Sequence, residues 1–268
     1  MIAVLSLFLA SMTTPQYDVS AIRYATIRNF KVAGLVKDAD PSRRIDIAMM
    51  VWLIRGGGKN ILVDSGFYRP ALFKGWDIAG YVRPDEAVRL AGVKPEDVTD
   101  VILTHAHWDH ADGADLFPNA TIWIQKEEYR YYTTEAWEPG GKSGGVTKDD
   151  VALLMKAHDA GRLKLVDGDQ EIIPGVRVYV GGRHTFASQY IAVDAKPGPV
   201  VLASDNLYLY ENLDKHVPIA QTFDEKSNLA AQDKMRTLVR DLRFIVPGHD
   251  PEVLKRFPKT TENVVKIE

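Results

Sequence analysis

The 268-residue chain contains no cysteine, which excludes disulfide bonds and excludes thiolate as a metal ligand. Basic residues are not in excess, since 33 Lys and Arg stand against 36 Asp and Glu and the formal net charge is −3. A nucleic-acid partner is therefore not expected, because phosphate binding needs a basic stripe. The apolar fraction of 46% and the charged fraction of 26% are ordinary for a globular enzyme, and the length fits one domain.

The chain also lacks an apolar run long enough to span a bilayer. Residues 1–10 (MIAVLSLFLA) are nearly all apolar but too short for a membrane-spanning helix, so no stable membrane insertion is expected. They resemble the apolar core of a secretion signal, although no Lys or Arg precedes Arg23. We therefore treat residues 1–20 as an apolar segment, either a signal remnant or a lid, and residues 21–268 as a single domain. A cytoplasmic and an exported location both stay open.

The most informative segment is T-H-A-H-W-D-H at residues 104–110, which places three imidazoles and a carboxylate close together. It follows V-T-D-V-I-L, whose apolar β-branched residues predict a buried strand. Imidazole and carboxylate are ligands that borderline divalent metals such as Zn²⁺ prefer. His105 and His107 face the same way by strand alternation, whereas Asp109 and His110 lie past the turn. One tetrahedral zinc takes about four ligands, so the segment predicts two metals.

Three further potential ligands occur later in the chain. His184, Asp205 and His249 each come directly after an apolar, strand-like segment. Any one of them alone would more often be a satisfied core or surface group. Together with the motif they place metal-ligand chemistry at four strand exits, a common location for active sites on rigid scaffolds. The other two histidines, His158 and His216, are predicted not to bind metal.

Periodicity and turn residues predict the remaining elements. The turn G-G-G-K-N at residues 56–60 predicts a β-hairpin, and the glycine-rich residues 138–145 predict a flexible loop. Thr147, with Asp150 three residues on, resembles a helix capping box. Helices are predicted at residues 84–91, 126–134, 147–160 and 228–241.

H-A-H-W-D-H with a later His, Asp and His resembles the motif set of the metallo-β-lactamase superfamily, and V-D-S-G at residues 63–66 is similar to that family's first motif. The resemblance covers most of the chain. It implies an α/β fold, an αββα sandwich of two mixed sheets with helices outside and metals at the sandwich edge. It gives Asp64 a supporting role near the metals. It assigns His105, His107 and His184 to one metal, Asp109, His110 and His249 to the other, and Asp205 to a bridge between them.

Within the superfamily, the chain most resembles the N-acyl homoserine lactonases, the quorum-quenching branch. Tyr208 follows Asp205 by three residues, where that family places a tyrosine beside the substrate carbonyl. Trp108 occupies the variable position inside the metal motif, and Phe67 and Tyr68 follow V-D-S-G, where that family lines its acyl pocket. True β-lactamases of the superfamily generally lack the bridging aspartate.

The resemblance implies a hydrolase in which a hydroxide bridging two divalent metals opens the lactone ring of N-acyl homoserine lactones. Zinc is expected, with iron, manganese and cobalt also compatible with His and Asp ligands. Tyr208 is expected to stabilise the oxyanion and Asp109 to pass a proton to the leaving alkoxide. Related lactonases also suggest a homodimer. The alternatives are a hydrolase of thioesters, aryl esters or organophosphates, and a non-enzymatic metal-binding module on the same fold.

Overall fold

The computed structural model describes residues 15–268, and its strands form two sheets. The strands of this part of the chain are β1 (Asp18–Lys31), β2 (Arg44–Gly56), β3 (Lys59–Val63), β4 (Ile78–Ala79), β5 (Asp100–Ile102), β6 (Thr121–Gln125), β7 (Leu163–Val166), β8 (Gln170–Ile173), β9 (Val176–Val180), β10 (Gln189–Ala195), β11 (Gly198–Ser204), β12 (Ile245–Pro247), β13 (Lys259–Thr261) and β14 (Val264–Lys266). The α-helices are α1 (Pro84–Leu90), α2 (Trp108–Ala111), α3 (Lys126–Thr133), α4 (Lys148–Asp159), α5 (Tyr210–Lys215), α6 (Glu225–Leu238) and α7 (Val253–Arg256).

Both sheets mix parallel and antiparallel pairs. The larger sheet has the order β13-β14-β1-β2-β3-β5-β6-β7, with β4 also paired to β1. Its pairs are antiparallel as far as β3 and parallel from β3 to β7. The smaller sheet has the order β12-β11-β10-β9-β8, in which β11 and β12 are parallel and the other pairs are antiparallel. The prediction of two mixed sheets is confirmed.

The larger sheet has a hydrophobic layer on each of its two faces, and β2 contributes residues to both layers. The central residues of β2 are buried on both faces and form a continuous apolar run, as expected for an interior strand. Trp52 on one face joins the cluster between the two sheets, and Val51 on the other joins the cluster under α1, α3 and α4. Helices α5 and α6 cover the outer face of the smaller sheet, through Leu213 and Met235 among others. The layers are thus helix, sheet, sheet and helix, which confirms the predicted αββα sandwich.

Most predicted helices and the hairpin are found within a few residues of their expected ends. The capping box of α4 is formed, since Asp150 N donates to Thr147 Oγ1 at 3.1 Å and Thr147 N donates to Asp150 Oδ2 at 3.2 Å. Helix α6 begins earlier than the predicted residue 228 and ends at Leu238. The reason is Asp224, whose carboxylate accepts the backbone N–H groups of the first turn and caps the helix.

The predicted N-terminal segment falls only partly within the described residues. Residues 1–14 lie outside them, so the signal or lid assigned to this segment stays a prediction. Tyr17 N already donates to Asp194 O at 3.0 Å, and β1 begins at Asp18. The sheet therefore includes residues that the sequence placed before the boundary at residue 20. In the described part of the chain, no helix is both long and apolar enough to cross a membrane.

The strand directions bring the candidate ligands to one edge of the sandwich. Strands β3, β5 and β6 run parallel, so their carboxyl ends share an edge. In the smaller sheet β9, β11 and β12 run in the same direction, since β10 is antiparallel to both β9 and β11. The loops that follow these strands carry the metal motif, His184, Asp205 and His249. Each sheet therefore contributes ligands to a common edge.

Candidate metal centre

The seven side chains predicted to bind metal lie together at this edge in two groups. Within each group, one potential ligand atom from every member lies within 4.8 Å of those of the others. The first group is His105, His107, His184 and Asp205, and the second group is Asp109, His110 and His249. His158 and His216 belong to neither group and have side chains 47% and 45% exposed.

Asp205 lies between the two groups. Its Oδ2 atom is 3.3 Å from His184 Nε2 and 3.8 Å from His105 Nε2, both in the first group. Its Oδ1 atom is 3.1 Å from His249 Nε2 and 3.4 Å from His110 Nε2, both in the second group. One carboxylate oxygen therefore faces each group, which is the arrangement that a bridging ligand requires.

Four of the imidazoles are oriented by hydrogen bonds from their outer nitrogens. The Nδ1 partners are Thr104 Oγ1 for His105 (2.9 Å), Asp64 Oδ2 for His110 (2.8 Å), the Gln221 carbonyl for His184 (2.9 Å) and the Ala48 carbonyl for His249 (3.0 Å). Carbonyl and carboxylate oxygens only accept, so Nδ1 of the last three rings carries the proton. When the ring is neutral, the lone pair is then on Nε2, which points into the centre, as in metal-binding histidines with an outer hydrogen bond.

Atoms at the centre have the chemistry of a divalent metal site. His105 Nε2, His110 Nε2 and Asp205 Oδ1 are buried and have no hydrogen-bond partner among the described residues. A buried polar atom without a partner costs about 1–3 kcal/mol, so three such atoms divided between the two groups indicate that ligands bind there. Imidazole and carboxylate together suit zinc and similar borderline cations. The residues present therefore fit a pair of divalent metals.

The charges around the two groups differ. Burial lowers the pKa of His105, and it lowers the pKa of His107 to about 3, so both stay neutral and able to bind metal. Burial opposes a charge on His110 too, but the carboxylates of Asp205 and Asp109 outweigh it and raise its pKa. The second group therefore lies among negatively charged carboxylates, which favour a positive charge at this position.

Asp64 of V-D-S-G supports the centre from outside. Its carboxylate accepts hydrogen bonds from Thr104 N at 2.8 Å and from Ser204 Oγ at 3.1 Å, besides that from His110. Thr104 and Ser204 lie at the exits of strands in different sheets, so Asp64 connects the sheets behind the metal groups. This is the supporting position that the motif implies for it.

Of the two predicted catalytic residues, Asp109 belongs to the second group and Tyr208 lies beside the first group. The Tyr208 hydroxyl is 3.3 Å from His184 Nδ1, and Asp109 Oδ2 is 3.4 Å from His110 Nε2 and 3.7 Å from His249 Nε2. Burial raises the pKa of Tyr208 well above its usual value, with Asp205 and Asp109 adding to the effect. Burial would raise the pKa of Asp109 as well, but the neighbouring histidines lower it.

A cavity of about 500 Å³ opens onto the centre. Trp108 and Tyr208 line it, together with Lys142 and Gly145 from the glycine-rich loop. One apolar wall was not predicted and consists of Ile27, Phe30, Leu35, Ile47, Met49 and Trp76. The alternation along β2 indicates that Ile47 and Met49 share a face, but it cannot indicate that this face borders a cavity.

Phe67 and Tyr68 do not line this cavity, which corrects the expectation that they form the acyl pocket. Phe67 is fully buried and packs edge-on behind Trp108, with ring centroids 4.7 Å apart. The Tyr68 hydroxyl donates to Asp115 Oδ2 at 2.9 Å. The backbone N–H of Tyr68 donates to Asp112 Oδ2 at 2.7 Å, and this bond holds the loop away from the cavity.

Comparison with known proteins agrees with this geometry. Residues 50–249 match the family model of the Metallo-beta-lactamase superfamily. The chain belongs to this superfamily. Among metallo-beta-lactamase relatives, an N-acyl homoserine lactonase from Bacillus sp is 30% identical over 227 residues, which cover 79% of this chain and 85% of that protein.

Solved structures share the metallo-beta-lactamase fold over nearly the whole chain. An N-acyl homoserine lactone hydrolase, with the product N-hexanoyl-L-homoserine bound at its catalytic metal centre, superposes with a TM-score of 0.73 at 23% identity and covers 92% of this chain and 98% of its own. AidC, a dizinc quorum-quenching lactonase, has a TM-score of 0.69 at 17% identity and covers 90% of each chain. The fold inferred from the motifs is thereby confirmed.

We expect Asp205→Asn to lose at least one of the two metals, because a bridging anion offsets the repulsion between two close cations. Elemental analysis after dialysis against metal-free buffer measures the metal content of the protein. Asp167→Asn is the control, since Asp167 is 76% exposed and pairs with Lys126 at the surface. Full occupancy of both sites in Asp205→Asn would show that Asp205 does not bridge.

We expect Gly145→Ala to lower the metal affinity of the first group, because a Cβ at Gly145 would lie 2.6 Å from His107 Cδ2 and 2.7 Å from its Nε2. Gly145 also has φ +78°, so an alanine there is strained. Gly140→Ala is the matched control, because Gly140 has φ +87° and open space around its Cβ. Metal content that falls equally in both variants would assign the effect to backbone strain rather than to His107.

Proposed function

We propose that the protein is a dinuclear metal-dependent hydrolase that opens the lactone ring of N-acyl homoserine lactones. The observation that carries the proposal is the position of Asp205, with one oxygen toward each histidine group and Tyr208 beside them. Further support comes from the Bacillus relative, which is itself an N-acyl homoserine lactonase. Assembly as a homodimer stays a prediction.

The two groups would hold the metals, with Asp205 shared. Zinc is the proposed ion, in line with the dizinc centre stated for AidC, while iron, manganese and cobalt suit the same ligands. When bound, a pair of divalent cations supplies Lewis acidity and lowers the pKa of water from about 15.7 to near 7, so that a nucleophile exists at neutral pH.

Tyr208 is proposed to stabilise the oxyanion that forms at the lactone carbonyl. His184 Nδ1 donates its proton to the Gln221 carbonyl, so the Tyr208 hydroxyl beside it can only accept from that ring. The phenol proton is then free to point into the cavity. Because burial raises the pKa of Tyr208, the phenol keeps this proton at neutral pH.

Asp109 is proposed to carry a proton to the leaving alkoxide. The histidines beside it lower its pKa, so its carboxylate is ionised and can accept a proton. It lines the same cavity, next to Trp108. Ring opening breaks one C–O bond, and the proton that Asp109 accepts from the attacking water can neutralise the new alkoxide.

The apolar wall is proposed to receive the acyl chain. Trp76 stacks on Trp108 with centroids 6.0 Å apart and on Phe30 with centroids 5.8 Å apart. These three rings extend from the metal motif to the surface, where Trp76 is 41% exposed. An acyl chain bound along them would be removed from water, which favours substrates with an apolar tail over small polar esters.

The deciding experiment is hydrolysis of a series of N-acyl homoserine lactones by zinc-loaded protein, followed by pH-stat and mass spectrometry. We expect kcat/KM on the order of 10⁴ M⁻¹ s⁻¹ or more, loss of activity on chelation and recovery on adding Zn²⁺. Thioesters, aryl esters and aryl phosphotriesters serve as competing substrates. A fully loaded protein that cleaves one of these classes but no lactone would refute the proposed substrate.

We expect Tyr208→Phe to lower kcat on lactones by about 10²-fold, the effect of removing one oxyanion donor, with metal content unchanged. Tyr210→Phe is the matched control, because Tyr210 is also buried but lies outside the cavity lining. An unchanged kcat in Tyr208→Phe would exclude the tyrosine from the reaction. A loss of metal would instead assign it a role in holding His184.

A further inference from the structure

Glu128 is a fully buried glutamate in the first turn of α3. Each of its carboxylate oxygens accepts a hydrogen bond from a backbone amide of a different loop. Oε1 accepts from Ala106 N at 3.0 Å, and Oε2 accepts from Ala187 N at 2.7 Å. Burying a carboxylate is costly, and these charge-assisted bonds offset that cost.

The two amides lie in the loops that carry the first metal group. Ala106 is the residue between His105 and His107, and Ala187 comes three residues after His184. The first loop leaves β5 of the larger sheet, and the second connects β9 to β10 of the smaller sheet. Glu128 therefore joins, through one side chain, the two backbones that position the three histidines of the first group.

Further hydrogen bonds join the two sheets next to the beginning of α3. Gln125, the last residue of β6 before α3, donates to Gln189 Oε1 at 2.9 Å, and Gln189 Nε2 donates to Leu103 O at 2.7 Å. Gln189 N also donates to Thr104 O at 2.8 Å. These bonds hold the ends of the strands together. Glu128 instead holds the loops that follow the strands, through Ala106 and Ala187.

The second group is supported by a different buried acid. Asp64 accepts directly from His110 Nδ1 at 2.8 Å. The hydrogen bonds of Glu128 reach neither the backbone nor the side chains of Asp109, His110 or His249. The hydrogen bonds of Glu128 thus reach only the two loops of the first group, whereas Asp64 contacts His110 of the second group directly and also accepts from Thr104 next to His105.

We propose that Glu128 is a positioning residue that sets the metal affinity of the first group by fixing the His105–His107 loop against the His184 loop. The proposal rests on the proposed metal pair but not on the substrate. Outer partners of metal ligands typically change affinity by about 10–100-fold, and we expect an effect at the lower end because Glu128 acts through backbone.

The test compares Glu128→Gln with Glu127→Gln. Glutamine keeps the size of the side chain but presents an NH₂ group to one of the two amides, so one loop is released. Glu127 is the adjacent residue, 50% exposed and paired with Arg130, and the same substitution there leaves both loops untouched. Zn²⁺ affinity is measured by competition with a chromophoric chelator, and zinc-edge anomalous scattering assigns the occupancy of each group.

In Glu128→Gln we expect the Zn²⁺ affinity of the first group to fall about tenfold, with the second group unchanged. Glu127→Gln is expected to bind both ions as the unsubstituted protein does. Unchanged affinity at both groups would overturn the proposal. An equal fall at both groups, together with a lower Tm, would also overturn it, because Glu128 would then support the fold as a whole.

A second variant, Glu128→Asp, keeps the charge on a side chain shorter by one methylene. It can reach one loop but not both, so an intermediate loss confined to the first group is expected. Failure of both variants to fold would overturn the proposal in favour of a purely structural role. Because the readout is Zn²⁺ occupancy, a protein inactive on lactones would refute the proposed substrate and leave this inference standing.

Discussion

The shared carboxylate of Asp205 is the constraint on which the rest of the site depends. Its two oxygens lie within 3.1–3.8 Å of four imidazole nitrogens from three separate loops. Such a position is possible only if β5, β9, β11 and β12 all end at the same edge of the sandwich. The strand directions, the packing of the two sheets and the outer hydrogen bonds of the histidines together bring these four imidazoles to Asp205.

The convergence of the candidate metal ligands could be predicted from the sequence because their signal is local. Each candidate ligand follows an apolar strand, and the ends of parallel strands meet at one edge whatever the details of packing. The same holds for the hairpin and for the capping box of Thr147, where the information lies within a few residues. Helix α6 was placed too late because Asp224, its cap, lies before the first apolar repeat.

The walls of the cavity could not be predicted in the same way. Phe67 and Tyr68 were assigned to it by their place after a motif, but the hydrogen bond from Tyr68 N to Asp112 directs that loop elsewhere. Trp76 and Phe30 come from distant segments that meet only after the sheets have packed. Glu128 was also missed, because a glutamate in the first turn of an amphipathic helix gives no sign that it will be buried between two loops.

Both metal groups draw their members from the two sheets. The larger sheet supplies the residues of the H-A-H-W-D-H motif, and the smaller sheet supplies His184, Asp205 and His249. Neither sheet alone can therefore assemble either group, so ion binding and docking of the sheets are thermodynamically linked. An ion that binds the docked state and not the separated one raises the free energy of unfolding by RT ln(1 + [ion]/Kd). An occupied centre would thus act as a reversible cross-link between the sheets, and the free energy of unfolding would then depend on metal supply.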